Sequence, residues 1–192
     1  MAVNNWTGSD FELDYMGIKF DGEEAYSPIQ CVGSLEEDMG VRTITKKCRG
    51  VVKKKRSKGT GEGTLKISAH IPWAVYTKAY GMELSALVSG VKAYGQNSVH
   101  KEFSLVMHVL DEDNNEKLKA YPKCIVNTGI VRKIENGAEE VAELELEVGV
   151  MPDDYGNGLY EAAVEDIEDE TVVETWLTAF TPELVWTKTV TA

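Results

Sequence analysis

Residues 141–150 read VAELELEVGV, and this stretch is the most informative about the fold. Three apolar residues alternate here with three glutamates: Leu144, Leu146 and Val148 with Glu143, Glu145 and Glu147. Successive side chains of a β-strand point to opposite faces, so this alternation predicts a strand with one buried face and one acidic face. Alternate carboxylates would lie about 7 Å apart along such a strand. The acidic row is either simply solvated or belongs to a surface that has a reason to be acidic.

Other segments also show strand patterns. Residues 64–71 alternate between apolar and polar, whereas residues 103–110 are more uniformly apolar and predict a central strand. The polar cluster at 111–115 predicts a turn, after which residues 117–121 return as a hairpin partner that ends at Pro122. Two further strands are predicted at 126–134 and 172–180, with the hairpin dipeptide Asn-Gly at 136–137.

One helix is predicted after the strand at 64–71. Pro72 suits a first helical turn, and Gly81 suits the residue after the last turn. Trp73, Tyr76 and Tyr80 are spaced three and four apart, so they share one face, which we interpret as core packing. Residues 83–91 predict a second short helical segment. The predicted fold class is therefore mainly β, one domain over residues 1–192, with a β-sandwich or barrel-like sheet and one flanking α-helix.

Charge is strongly segregated along the chain. The net charge is −12, yet residues 41–60 contain nine Lys or Arg and no acid, which leaves −21 for the rest. Residues 134–187 contain sixteen Asp or Glu and no Lys or Arg. Opposite charges in one small chain favour association between copies, although two independently solvated faces would give the same composition.

The basic segment is predicted to be a long loop at about residues 45–63. Its end, GTGEG at 59–63, is flexible by composition. The loop could bind nucleic acid through phosphates, be merely solvated, or reach an acidic neighbouring copy. Residues 41–63 lack the aromatic side chains on which unpaired bases stack, which favours the last reading. The candidate inter-subunit contacts are Lys46, Lys47, Arg49, Lys53, Lys54, Lys55, Arg56 and Lys58.

The sequence offers little chemistry. None of the three histidines, His70, His100 and His108, has a nucleophile or metal partner at a recognisable spacing. Cys31, Cys48 and Cys124 are isolated thiols, and GTGEG lacks the Gly-Lys-Ser/Thr order of a phosphate loop. We therefore expect no catalytic residue, metal or cofactor. No apolar run approaches the ~20 residues of a membrane span, and the N-terminal sequence does not have a secretory pattern.

The order of segments resembles the major tail tube proteins of long-tailed, siphovirus-like bacteriophages. The resemblance covers about residues 10–160. It is carried by VVKKKRSKGTGEGT, the strand LKISAHI, the aromatic segment PWAVYTKAYGM, the hairpin FSLVMHVLDEDNNEKLKAYPK and the acidic EVAELELEVGVMPDDYGNG.

This resemblance implies a structural virion protein whose copies form hexameric rings. The rings stack into a hollow tail tube around a tape-measure protein, and the tube conducts DNA without binding it specifically. It also implies that the basic loop contacts the adjacent ring and that Glu143, Glu145 and Glu147 face an acidic lumen. The expected partners are other copies, the tape-measure protein and other tail proteins, with no membrane. The expected location is the virion, after synthesis in the host bacterial cytoplasm.

Other interpretations remain open. An acidic C-terminal extension, residues 161–192, would pack outside the sandwich or against a neighbour. The alternative functions are a nucleic-acid-binding module that uses the basic loop, another structural protein of a virion head or tail, and a ligand-binding sandwich.

Overall fold

The structure, a computed structural model, describes residues 9–134, 136–137 and 141–186. Within these residues it contains seven strands, β1 Glu12–Phe20, β2 Ser27–Cys48, β3 Val51–His70, β4 Phe103–Leu110, β5 Glu116–Val126, β6 Leu144–Val150 and β7 Tyr160–Ala163. The helices are α1 Trp73–Ala79, α2 Glu170–Ala179 and α3 Pro182–Val185, with a 3-10 turn at Val164–Asp166.

Six strands close into an antiparallel barrel in the order β4-β1-β2-β3-β6-β5, and the β5–β4 pairing completes the ring. β7 pairs with β5 at Lys117–Ala120, outside this closed set. The inward side chains form one apolar core that includes Met16, Leu65, Met107 and Val148. The prediction of a mainly β, barrel-like fold with a flanking helix is confirmed.

The acidic strand and the flanking helix lie where the sequence predicts them. Leu146 and Val148 of β6 are buried and Glu145 is exposed, as the alternation predicts. α1 buries Tyr76 and Tyr80 against the barrel core. Trp73 departs from the predicted core stripe, because it is 57% exposed and stacks on Tyr76 instead. Residues 83–91 contain turns and no helix, so the prediction of a second helical segment is wrong.

β5 does not end at Pro122 but continues to Val126. Proline lacks the N–H that a ladder needs, so it is tolerated in a strand mainly at edges and bulges. The register between β4 and β5 shifts there: Leu105 pairs with Tyr121 while Phe103 pairs with Cys124. A bulge therefore accommodates Pro122. Residues 127–134 form no strand, contrary to the prediction for 126–134. The predicted Asn-Gly turn adjoins Glu135, which lies outside the described residues.

Residues 172–180, predicted to be a strand, belong mainly to the helix α2. Asp169 caps this helix, since its carboxylate accepts a hydrogen bond from the backbone N–H of Thr171 at 2.9 Å. Trp176 and Phe180 are four residues apart and share a buried face. They pack on the outer side of the barrel against Val106 and Leu118, forming a second, smaller core.

The basic segment, predicted to be a loop, is a β-hairpin. β2 and β3 stay paired from Val41–Gly59 to Cys48–Val51, with a turn at Arg49 and Gly50. β3 pairs with β6 only from Gly63 onward, so the outer half of the hairpin has no other strand neighbour among the described residues. We call residues 41–60, all of them exposed, the arm. At about 3.3 Å per residue, its eight paired rows and turn extend roughly 25–30 Å from the barrel.

Candidate assembly surface

The arm has two chemically different faces. Opposed residues of an antiparallel pair share one face, and successive pairs alternate between faces. One face, the cationic face, contains Arg42, Ile44, Lys46, Cys48, Val51, Lys54, Arg56 and Lys58. The other, the hydroxyl face, contains Val41, Thr43, Thr45, Lys47, Val52, Lys55 and Ser57. Arg49 lies in the turn, and Lys53 lies at the register shift after Lys46. From the sequence alone, the basic residues of the arm could not be assigned to one face or the other. That assignment depends on the pairing register of β2 and β3.

Like charges oppose each other on the cationic face. Arg42 lies opposite Lys58, and Lys46 lies opposite Lys54. Such directly opposed like charges destabilise a strand pair. On the hydroxyl face, by contrast, the side chains of Thr43 and Ser57 hydrogen-bond at 3.1 Å. Within the described part of the chain, no basic residue of the arm forms an ion pair.

The glycine-rich stretch before the barrel fixes the base of the arm. Between the pairs Met39–Gly63 and Val41–Gly59, Gly40 alone opposes three residues, so the hairpin is bulged where it leaves the barrel. Gly61 adopts φ +78°, and a Cβ there would lie 2.7 Å from the carbonyl oxygen of Gly156. The flexibility predicted from composition is therefore replaced by a close backbone contact that requires glycine.

An ion network lies inside the barrel below the arm. Lys119 of β5 is only 5% exposed, and its ammonium lies 2.7 Å from Asp10 and 2.7 Å from Glu37 of β2. Burial lowers the pKa of Lys119, but these two carboxylates outweigh it and raise the pKa above its usual value. Tyr121 donates a hydrogen bond to the same Glu37 oxygen at 2.7 Å. Burial and Glu37 raise the pKa of Tyr121, so its hydroxyl stays protonated.

The predicted acidic row lies on the outer face of the barrel and is partly neutralised. Glu147 lies opposite Lys66 in the β6–β3 register, and the Lys66 ammonium forms its ion pair with Glu36 at 3.0 Å. Glu143, just before β6, accepts a hydrogen bond from the Ser68 hydroxyl at 2.6 Å. Glu145 is exposed opposite Ser68. A groove of about 380 Å³ runs over this face.

A second acidic surface follows β7. Six exposed carboxylates occupy ten residues there: Glu165, Asp166, Glu168, Asp169, Glu170 and Glu174. We call residues 165–174 the acidic ridge. It contains no Lys or Arg. The sequence shows these acids, but only the structure shows that they span the 3-10 turn, the segment after it and the start of α2, where Glu170 and Glu174 lie. The strand prediction for 172–180 did not include this helix.

Two other titratable groups, His108 and Cys124, lie apart from these surfaces. His108 lies between Asp14, 3.0 Å from Nδ1, and Glu116, 3.3 Å from Nε2. Burial raises the pKa of the Cys124 thiol, which disfavours a reactive thiolate. Among the described residues, no group of three or more His, Cys, Asp or Glu could hold a metal ion. No helix in the described part of the chain is long and apolar enough to cross a membrane.

No protein-family model and no curated protein matches the sequence. Among solved structures, one similar chain comes from the cryo-EM structure of the anti-feeding prophage cap, the tube terminating cap. It is 12% identical, with a TM-score of 0.47, and the match covers 83% of this chain and 99% of that chain. Another comes from the anti-feeding prophage baseplate, at 8% identity and a TM-score of 0.41, covering 86% and 99%. With TM-scores below 0.5, neither likeness establishes the fold or the function of this chain.

Proposed function

We propose that the protein is a structural subunit of a phage-like tail, which self-assembles into stacked hexameric rings that form the tail tube. The observation that supports this most is the arm. It projects roughly 25–30 Å from a closed barrel, every residue of it is exposed, and the described part of the chain offers its cations no carboxylate.

A partner would supply what the arm lacks. An isolated two-stranded hairpin is marginally stable in water, and opposed like charges weaken it further. The rest of the chain carries a net charge of −21, so a second copy is an anionic surface present at the same concentration. Docking of each arm on a neighbour generates a repeating contact, which is the requirement for rings and tubes. In this proposal the residues of the inter-subunit or inter-ring contact are drawn from the eight basic residues named from the sequence.

The other parts have roles in the same proposal. The acidic row at Glu143, Glu145 and Glu147 faces the lumen, where like charge keeps passing DNA from adhering. The tape-measure protein and other tail proteins are the heterologous partners. The protein catalyses no reaction and acts in the virion.

The experiment is direct observation of assembly. Purified protein is concentrated in low and high salt, sized by light scattering, and imaged by electron microscopy, alone and with co-expressed tail proteins. Rings or tubes with six subunits per turn support the proposal. A protein that stays monomeric at high concentration, and forms no particle with tail partners, contradicts it.

A second candidate function, nucleic-acid binding, is favoured by one specific observation. The major groove of DNA admits a two-stranded β-ribbon, and the arm is such a ribbon with most of its cations on one face. The net charge of −12 opposes this candidate. It predicts affinity for duplex DNA that falls steeply with salt and is lost when the arm is neutralised. Absence of DNA retention at low salt would exclude it.

A further inference from the structure

We propose that the cationic face of the arm docks on the acidic ridge of a second copy of this chain, while the hydroxyl face stays free of that contact. This inference rests on the proposed self-assembly and deepens it, because it names the side of the arm and the surface that receives it.

The first step is the division of charge between the faces. The cationic face has five basic residues, and its only other members are Ile44 and the two residues next to the turn, Cys48 and Val51. The hydroxyl face has only Lys47 and Lys55, among hydroxyl and small apolar side chains. An arm that was merely soluble would gain nothing from placing like charges opposite each other. An anionic partner turns each opposed pair from a repulsion into a double attachment point.

The second step identifies the receiving surface. The acidic row already has a cation and a hydroxyl donor beside it in its own subunit, since Lys66 lies opposite Glu147 in the sheet and Ser68 donates a hydrogen bond to Glu143. The acidic ridge has no basic residue in it, and its six carboxylates are exposed. Among the described residues the four glutamates of the ridge, Glu165, Glu168, Glu170 and Glu174, form no ion pair, so their charge is available to a cationic partner. A subunit's own ridge is not that partner, because the arm's cations form no ion pair within the described chain.

The third step is spacing. Alternate residues of a strand are about 6.6 Å apart, so Lys54, Arg56 and Lys58 form an evenly spaced line. Helical residues four apart, such as Glu170 and Glu174, rise about 6 Å along the helix axis. The two spacings match closely enough for two neighbouring cations of this line to meet Glu170 and Glu174 together. Each exposed pair contributes little, so the contact depends on several pairs together and on its repetition in the polymer.

The experiment compares two double variants of the full chain. Lys46→Gln with Lys54→Gln removes an opposed pair from the cationic face. Lys47→Gln with Lys55→Gln removes the same charge, in the same part of the arm, from the hydroxyl face. We expect the critical concentration for assembly to rise about tenfold or more in the first variant and less than about threefold in the second. Thermal melting checks that both barrels stay folded.

A charge exchange tests the receiving surface. We expect the ridge double variant, Glu168→Lys with Glu174→Lys, to block assembly. Mixing it with subunits that carry Lys46→Glu and Lys54→Glu in the arm should restore assembly. The matched control makes the same change in the acidic row, Glu145→Lys with Glu147→Lys, which those arm subunits should not rescue.

Four results would overturn the inference. If wild-type rings form but the two arm double variants assemble equally well, the proposed face of the arm is wrong while self-assembly stands. If the acidic-row variant is rescued instead of the ridge variant, the proposed receiving surface is wrong while self-assembly stands. If a 20-base-pair duplex binds the cationic face and assembly is unaffected, the partner is nucleic acid. If wild-type protein forms no particle at all, the inference and the proposed function fail together.

Discussion

Lys119 on β5 bridges to Glu37 on β2 through the interior of the barrel, with 2.7 Å between Nζ and Oε2. These two strands are not neighbours in the sheet, so the contact crosses the barrel. Glu37 stands three residues before the base of the arm, and Asp10 joins the same ammonium from the N-terminal side. The network therefore connects the arm-bearing strand to the opposite wall.

Replacing Lys119 by Met should destabilise the barrel. The change leaves the carboxylates of Glu37 and Asp10 without the buried ammonium that they contact. Leaving a buried charge uncompensated lowers the free energy of unfolding by about 3 kcal/mol or more. The measurement is the free energy of unfolding from urea titration. Adding Glu37→Gln to the Met variant should recover part of the loss, with a coupling of about 1–3 kcal/mol. Additive effects of the two changes would show that the ion pair does not contribute as a unit.

Asp10 should give the protein an acid-dependent stability. Burial raises its pKa, but hydrogen bonds and charge from Lys117 and Lys119 outweigh this and hold the pKa below its usual value. A carboxyl with a depressed folded-state pKa stabilises fully above its unfolded pKa, and that stabilisation is lost as pH falls through the folded pKa. The melting temperature of the wild type should therefore fall more steeply below about pH 4 than that of Asp10→Asn. Glu23, whose pKa Lys78 also lowers, should leave some slope in the variant. Parallel profiles would contradict the role of Asp10.

The fold could be predicted from the sequence where local pattern and burial agree. The alternation at 141–150 and the apolar run at 103–110 each predict a strand that places apolar side chains in the core. Residues 172–180 mislead because Val, Thr, Trp and Phe favour strands, whereas the Asp169 cap and the four-residue spacing of Trp176 and Phe180 favour a helix. Packing against the outer wall of the barrel decides between them, and packing is not visible in a local window.

The arm could be predicted only in part. Its charge and position are evident in the sequence, but polar residues and glycines between 40 and 63 are typical of a loop. Pairing of Val41 with Gly59, and of every row outward to Cys48, depends on continuation of the β2–β3 ladder out of the barrel. The division of cations between two faces follows from that register, so no count of basic residues could reveal it.

The glycines at the arm base should differ sharply in tolerance to substitution. Gly61→Ala would place a side chain at φ +78° and 2.7 Å from the Gly156 carbonyl oxygen. Both effects oppose folding, so a loss of about 2 kcal/mol or more is expected. Gly59→Ala is the matched control, since nothing lies within 4 Å of its Cβ position. Chemical denaturation measures both variants, and equal stabilities would show that Gly61 is not constrained as described.

The cap of α2 should contribute measurably. Asp169→Ala removes the side-chain hydrogen bond to the Thr171 N–H and should cost about 1 kcal/mol. Glu174→Ala removes an exposed carboxylate from the middle of the same helix without removing a cap, so its effect should stay within about 0.5 kcal/mol. Thermal melting followed by circular dichroism compares them. A cost for Glu174→Ala equal to that of Asp169→Ala would argue against capping.

Neutralising the arm should affect assembly much more than subunit stability. Replacing Lys53, Lys54, Lys55 and Arg56 together by Gln removes four cations from a hairpin that contacts no other strand. Because repulsion between exposed like charges is lost, the free energy of unfolding should rise, by no more than about 1 kcal/mol. In the proposed tube every ring would lose the same contacts, so tube yield and length should fall steeply. Wild-type assembly should weaken in the same direction as salt rises, because exposed charges are screened beyond about 10 Å at 0.1 M salt. Tubes of normal length and yield from the quadruple variant, counted by electron microscopy, would count against a role for the arm between subunits.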